Sequence, residues 1–297
     1  MSGVLDGIIL LDKPAGGSSH GAVAHLRRIL RTRSLGHGGT LDPSATGLLL
    51  VLAGRATHLA GYLGGGRKVY EATFRFGCST TTDDAAGEKL EEAAVPQLGL
   101  AEMNASKKDF IGEIEQVPPD YSAVWSDGKR AYRRARSGQS LELNARKVMI
   151  ESIEIRDWQP PDLRVVITCG SGTYVRSLAR DWGRRLHSAA HVSSLRRVKS
   201  GVFDIEECLS FEEVEQHAAA GEWDCIVRPP GPALERAVGC TRVVDGEDLR
   251  RFVNGAEIAD AGTGEQPVVV VSPQRELLGI GKAHAGFFRA VLVYPST

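Results

Sequence analysis

The chain lacks most of what would mark metal, redox or membrane chemistry. Its five cysteines, Cys78, Cys169, Cys208, Cys225 and Cys240, are widely spaced, with no CxxC pair and no cysteine–histidine cluster of zinc spacing. That excludes the common zinc folds and suits reduced thiols rather than a disulfide framework. The eight histidines contain no HExxH pair. There is no P-loop and no dinucleotide fingerprint, so no metal and no cofactor are expected. The longest apolar run, Leu48 to Ala53, is far shorter than the roughly 20 residues a membrane helix needs. The N-terminus shows no basic leader followed by a long apolar stretch, so a cytoplasmic protein without membrane partner is expected. Internal repeats and low-complexity tracts are missing too, which removes solenoids from consideration.

What is present is an ordinary globular composition, 42% apolar and 25% charged over 297 residues, enough for one large domain and a small one. The net charge of −1 is uninformative, but its distribution is not. Basic residues gather at Arg27, Arg28, Arg31 and Arg33, at Lys129, Arg130, Arg133, Arg134 and Arg136, and at Arg196, Arg197 and Lys199. Acid gathers elsewhere, at Glu206, Glu207, Glu212, Glu213 and Glu215. Such segregation suits a phosphate-binding face with an acidic reverse side, although any one cluster would serve as a solvated helix face.

Mixed strand and helix patterns without regular βαβ alternation predict an α+β fold. Strands are expected at 7–11 and 48–53. Between them come a loop over Asp12–Gly17 and a helix from Ser18 or Ser19 to about Arg31. A short helix at 56–63 ends at Gly64-Gly65-Gly66. Residues 68–76 alternate, with Tyr70, Ala72, Phe74 and Phe76 on the buried face. A helix at 100–111, a hairpin of 147–155 with 163–169, and an amphipathic helix at 173–186 follow. The irregular stretch 117–147 is expected as a surface insertion with a basic helical segment. Arg228-Pro229-Pro230-Gly231-Pro232 is expected as a linker between a domain over 1–228 and a small β-rich domain over 232–297.

The segment most suggestive of chemistry is GHGGTLDPSATG, Gly36 to Gly47. It carries a carboxylate, Asp42, and an imidazole, His37, on a glycine-rich loop ahead of a buried strand, where functional groups are often held. Gly36, Gly38 and Gly39 permit unusual backbone angles or close approach. Asp-Pro is also an ordinary turn pair, so the segment alone does not decide.

Further motifs lie in order around it: KPAGGSS (Lys13 to Ser19), KVY (Lys68 to Tyr70), PPDYSA (Pro118 to Ala123), GTYVRSLARDWG (Gly172 to Gly183) and AHVSSLRR (Ala190 to Arg197). In order and spacing, from near residue 7 to near 205, the set resembles the bacterial tRNA pseudouridine-55 synthase family, often called TruB. The tail resembles the family's small PUA-type domain more loosely. GHGG stands where the family often has GHTG, and Thr81 where an acidic residue is common, with Asp84 keeping the later acid. The resemblance implies a pseudouridine synthase catalytic domain with a mixed, largely antiparallel central sheet and a surface insertion, followed by a PUA-like RNA-binding domain.

It also implies an isomerase that converts one uridine of the tRNA T-loop to pseudouridine. On the matching positions, Asp42 is the essential aspartate, Tyr70 stacks on the target base, Arg176 pairs with the aspartate, Tyr174 lies beside it, and Leu195 forms pocket wall. Lys13 and Pro14 border the site, His37 enters the T-loop, and the 117–147 insertion folds over it, with Lys129, Arg130 and Arg133 on phosphates. tRNA is the expected partner, with no obligatory protein partner and a monomeric chain.

Residue chemistry is consistent with that reading. Breaking the base–ribose bond, turning the base and rejoining through carbon loses no atom and exchanges no electron, so no cofactor is required. A carboxylate near the sugar could attack its carbon or remove a ribose proton, and the sequence leaves both routes open. An arginine beside it favours the charged form. Extruding a base costs a few kcal/mol, part of which an aromatic platform offsets. From pattern alone Tyr70 is equally a core tyrosine, Arg176 a surface residue at a helix start, and His37 a structural histidine. Two other readings stand beside the enzyme: a non-catalytic tRNA-binding or RNA-remodelling protein, and a synthase guided by RNA and scaffold proteins. Asp42, Tyr70 and Arg176 together favour catalysis, because binding a polyanion does not need a carboxylate facing it.

Overall fold

A computed structural model describes residues 5–121, 125–126, 129–130, 143–259, 262, 264–284 and 286–294, with backbone alone at 125–126 and 129–130. The expected basic helical segment, and Arg133 with it, lies outside the described residues.

The chain opens with β1 (Gly7–Lys13), α1 (Ser19–Ile29), β2 (Leu35–His37) and β3 (Thr46–Ala53). After a 3-10 turn at Gly54–Leu59 come α2 (Ala60–Leu63) and β4 (Lys68–Phe76). The helix expected at 56–63 is therefore mostly 3-10 and only one turn of α-helix. A small hairpin, β5 (Cys78–Thr80) with β6 (Lys89–Glu92), precedes α3 (Leu100–Ser106) and β7 (Gly112–Gln116). Two short strands, β8 (Trp125–Ser126) and β9 (Lys129–Arg130), pair with each other. Then follow β10 (Arg146–Gln159), β11 (Asp162–Cys169), α4 (Val175–Arg185), β12 (Ala190–Ser200) and β13 (Phe203–Asp204).

These strands form one mixed sheet in the order β1-β3-β12-β4-β11-β10-β7, with β2 beside β3 and β13 beside β12. Every pairing in it is antiparallel except β12 with β3, where Arg196 faces Thr46 and Arg197 faces Gly47. The sheet is thus mixed and largely antiparallel, as the resemblance implied. The β4 alternation is as expected, with Tyr70, Ala72, Phe74 and Phe76 buried.

Strand β3 explains why LLLVLA reads as an unbroken apolar run. Leu49, Val51 and Ala53 join the core under α1 and α4, while Leu48, Leu50 and Leu52 face a second core on the other side of the sheet. A strand buried on both faces has no polar alternation to show.

The second core is closed by the C-terminal part. Helices α5 (Phe211–Ala220), α6 (Trp223–Ile226) and α7 (Pro230–Val238) lead into β14 (Thr241–Val243), α8 (Gly246–Val253), β15 (Ile258–Ala259), β16 (Val268–Val271), β17 (Leu277–His284) and β18 (Phe287–Val293). The five strands make a sheet in the order β14-β16-β17-β18-β15, a β-rich tail. Within β16, Val268 and Val270 pack in the tail's own core, and Val269 and Val271 pack with Leu48, Leu50 and Leu52. The Arg228–Pro232 run, expected as a linker, is tied down instead. Arg228 exchanges backbone hydrogen bonds of 2.8 Å with Ile8 in both directions, and Pro230 begins α7, where a proline's missing N–H costs nothing.

Candidate active site

The GHGGTLDPSATG segment runs from the end of β2 into β3, and Asp42 lies on the loop between them. Three groups from the KPAGGSS motif form the bed of this loop. The Ser19 hydroxyl, at the start of α1, donates to the Leu41 carbonyl at 2.9 Å and accepts from the Leu41 N–H at 2.8 Å. Lys13 is buried and its ammonium donates to the carbonyls of Pro14 and Gly17 at 2.8 Å and of Pro43 at 3.4 Å. The Gly16 N–H donates to the Pro43 carbonyl at 2.9 Å. Burial pulls the Lys13 ammonium below its ordinary range, and the Asp42 charge opposes that. Backbone on both sides of Asp42 is therefore fixed before its carboxylate meets any partner.

The glycines meet the expectation in part: a Cβ at Gly38 would lie 2.7 Å from Leu50 Cδ2, a close approach. Gly36, Gly38 and Gly39 are not left-handed; the left-handed residue of the motif is Gly47, with φ of +101°. A Cβ there would lie 2.3 Å from the Arg197 carbonyl oxygen, so the close approach of β12 to β3 requires glycine.

Arg176, in the first turn of α4, is 3% exposed, which removes the surface-residue reading. Its Nε donates to Asp42 Oδ2 at 2.8 Å and its Nη2 to Asp42 Oδ1 at 2.9 Å, a two-pronged pair. The remaining donors reach the Thr82 carbonyl at 2.8 Å and the Tyr121 carbonyl at 3.0 Å. One turn later, Arg180 pairs with Asp83 at 2.9 Å and donates to the Val117 carbonyl at 2.8 Å. Asp84 accepts from Ser44 at 2.8 Å and Thr82 at 2.5 Å. Burial pushes the Asp83 carboxyl up, with Arg180 and Arg176 acting against it. The 82–84 loop and the first residues of the insertion are thus fastened to α4 by the same arginine face that holds Asp42. Gln116 completes the frame, its side-chain amide bonding the Tyr174 carbonyl at 3.1 Å and the Tyr174 N–H at 2.9 Å.

Above the pair is an open cleft of about 220 Å³, lined by Asp42, Tyr70, Tyr174 and Leu195 with Thr40, Leu41, Lys68, Gly172, Thr173 and Val175. Four residues proposed from the sequence therefore share one cavity, with Arg176 directly behind Asp42. Tyr70 is buried, which pushes its phenol up, while the charge of Arg197 acts the other way. Lys68 is pulled down by burial and by the charge of Arg197.

Other expected residues are placed elsewhere. Pro14 is exposed beside the Lys13 carbonyl network and does not line the cleft. His37 is on β2 opposite Val51, half-buried and outside the cleft lining. Lys129 and Arg130 appear as backbone of β9 only. The third basic group is not a free phosphate-binding patch: Arg196 pairs with Asp12 at 2.6 Å, Lys199 with Asp204 at 2.7 Å, and Arg197 is buried. In the first group Arg28, Arg31 and Arg33 are exposed. His217, Glu222 and Cys225 come within 4.8 Å of one another on α5 and α6 and the turn joining them, and none of them lines the cleft.

Residues 27–175 match the model of the TruB family pseudouridylate synthase N-terminal domain, and 176–259 that of the tRNA pseudouridylate synthase B C-terminal domain. The chain belongs to the TruB family. It is 42% identical to the tRNA pseudouridine synthase B of Thermobifida fusca, covering 97% of this chain and 98% of that one. With the enzyme of the same name from Trichormus variabilis it shares 45% identity over 74% of this chain and 76% of the relative. Among solved structures, a Cbf5-Nop10-Gar1 complex superposes with a TM-score of 0.74 at 26% identity, covering 98% of this chain and 84% of that one. An H/ACA RNP bound to a substrate RNA containing 2'-deoxyuridine gives 0.69 at 25% identity, over 93% and 78% of the two chains.

As a TruB-family chain, the protein also carries site residues that sequence reasoning passed over. Lys68 lies within the KVY motif, and Arg180 stands one helical turn from Arg176, so both had a positional signal. Ser19 and Arg197 close the KPAGGSS and AHVSSLRR motifs, but their contacts had no signal, and Gln116 had none at all, since a buried polar side chain serving backbone groups leaves no periodicity. Among the described residues no helix is long and apolar enough to cross a membrane.

Proposed function

We propose that this protein isomerises the T-loop uridine at position 55 of tRNA to pseudouridine, acting alone and without a cofactor, with Asp42 as the group that opens the glycosidic bond. The observation that carries the reading is the two-pronged Asp42–Arg176 pair at the base of a cleft walled by Tyr70, Tyr174 and Leu195. The pair aims an oriented carboxylate into a cavity open to solvent, where an extruded nucleotide can enter. Tyr70 offers a flat face to the base, worth about 1–3 kcal/mol of stacking. Leu195 closes the wall without competing polar groups. The carboxylate then attacks the sugar carbon or removes a ribose proton, and the freed base turns and rejoins through C5.

In this reading the insertion that begins near Val117 covers the T-loop, with Lys129, Arg130 and Arg133 on backbone phosphates, and His37 enters the loop where bases have turned out. Lys13 and Pro14 act through the loop they support. Recognition depends on loop shape more than on base sequence. Domains over 1–228 and 232–297 divide catalysis from additional RNA contact.

The test is release of tritium from tRNA labelled at C5 of uridine, using purified protein with no additives. Wild-type protein is expected to release it and Asp42→Asn to release none while still retaining tRNA on a filter. Normal turnover by Asp42→Asn would remove the carboxylate from the reaction. Binding without release by the wild type would turn the reading toward an RNA-remodelling protein.

A further inference from the structure

Helices α5 and α6 meet at a turn that carries three different kinds of metal-binding side chain. Helix α5 is capped by Gly221, which takes the left-handed conformation with φ of +77°. Across that turn the backbone ties each candidate ligand to the next. The Glu222 N–H donates to the His217 carbonyl at 2.9 Å, and the Cys225 N–H donates to the Glu222 carbonyl at 3.1 Å. A ring nitrogen of His217, a carboxylate oxygen of Glu222 and the Cys225 sulfur consequently lie within 4.8 Å of one another. His217 Nδ1 and Glu222 Oε2 are already in contact at 2.6 Å. A helix-closing hydrogen bond would account for that contact, but it leaves the convergence of Cys225 unexplained. The surface around the cluster is acidic too, with Glu212, Glu213, Glu215 and Asp224 all exposed, which concentrates cations there. Imidazole, carboxylate and thiolate together are the donors of zinc-class ions, whereas magnesium and calcium take oxygen ligands. The spacing H-x4-E-x2-C matches none of the common zinc motifs, so pattern reading passes over it.

We propose that His217, Glu222 and Cys225 form a three-ligand site for a zinc-class divalent ion, with water in the fourth position, that clips α5 to α6 independently of what the cleft does. Cys225 gives its thiol proton to solvent and a sulfur lone pair to the metal, His217 binds as neutral imidazole, and the thiolate and carboxylate charges balance the ion. Ligand atoms around a tetrahedral zinc stand about 3.3–3.6 Å apart, so the His217–Glu222 pair opens slightly and the Cys225 sulfur closes in. Glu222 and Cys225 are exposed and His217 is half-buried, so their side chains have room to make that adjustment. The clip has a place in the fold. Val214 of α5 and Ile226 of α6 are both buried in the core that holds Leu49 and Val51, and Arg228, just beyond α6, exchanges backbone hydrogen bonds with Ile8 of β1. An ion at the turn therefore pins the passage from the large sheet to the tail and acts on stability.

The experiment adds cobalt(II), a coloured substitute for zinc, to the reduced full-length chain after treatment with a chelator. One equivalent is expected to bind, with a near-ultraviolet sulfur-to-cobalt absorption that zinc removes by displacement. Cys225→Ser should abolish that absorption. His217→Gln and Glu222→Gln should each weaken cobalt binding by about tenfold or more. Cys240→Ser, which removes the other exposed cysteine, should leave the absorption unchanged. Zinc at about 100 times its dissociation constant should raise the Tm of the wild type by roughly 5 °C and leave that of Cys225→Ser in place. An absorption that survives Cys225→Ser, or that is indifferent to both His217→Gln and Glu222→Gln, would overturn the proposal. So would cobalt binding at millimolar concentration alone, the mark of an adventitious ion only. A wild-type Tm that zinc does not move would overturn the clip.

Discussion

Strand β3 joins two regions built on opposite principles. At its N-terminal end, buried charge organises the cleft: Arg176, Arg197 and Lys13 are all buried, and each has its donors aimed at named oxygens. On the face turned to the tail, Leu48, Leu50 and Leu52 meet Leu234, Val269, Val271 and Ile280, an apolar contact. Apolar burial is strong but indifferent to direction, so it can hold two layers together without fixing an oxygen atom. Charged, two-pronged hydrogen bonds cost desolvation but fix direction. The molecule uses the first where only association matters and the second where a carboxylate must point.

That contrast can be broken from either side. The largest effect is expected from Arg176→Met, which strips Asp42, Thr82 and Tyr121 of their shared donor. Turnover should fall by about 10²–10³-fold, the range of lost preorganised electrostatic contacts. The check is single-turnover tritium release, and a loss under tenfold would mean the pair is structural decoration. Next, Leu50→Ala opens the apolar contact and should cost about 2–5 kcal/mol in denaturant unfolding, while per-molecule turnover below the transition stays near wild type. A matching loss of turnover would show that the two regions are not separable. Smallest, Phe287→Ser on the outer face of β18, where the ring is 53% exposed, should change stability by less than about 0.5 kcal/mol. A larger shift in midpoint would reveal a packing partner that the exposure does not indicate.

The sequence was most legible where burial has a period. The alternation of β4 and the two-sided run of β3 followed from side-chain geometry alone, as did the hairpin of β10 and β11 and the start of α1 at its serine cap, where Ser18 accepts from the Gly21 N–H. Asp42 and Arg176, so distant in the chain, were joined only through resemblance to a family, because no local rule pairs them. Arg196, Arg197 and Lys199 were misread as a basic patch. Charge in a sequence carries no sign of burial or pairing: Asp12 and the loop carbonyls come from elsewhere in the chain, and Asp204 meets Lys199 across the short β12–β13 pairing. The Arg228–Pro232 run looked like a tether because proline and glycine mark turns as readily as helix starts.

The valines of β16 carry a consequence for how the protein comes apart. Each neighbour along that strand belongs to a different core, so the tail cannot detach without uncovering half of β3, and β3 cannot loosen without uncovering half of β16. Unfolding should then be a single cooperative event. A chain ended after Arg228 would be a sticky, half-wrapped sheet rather than a smaller enzyme.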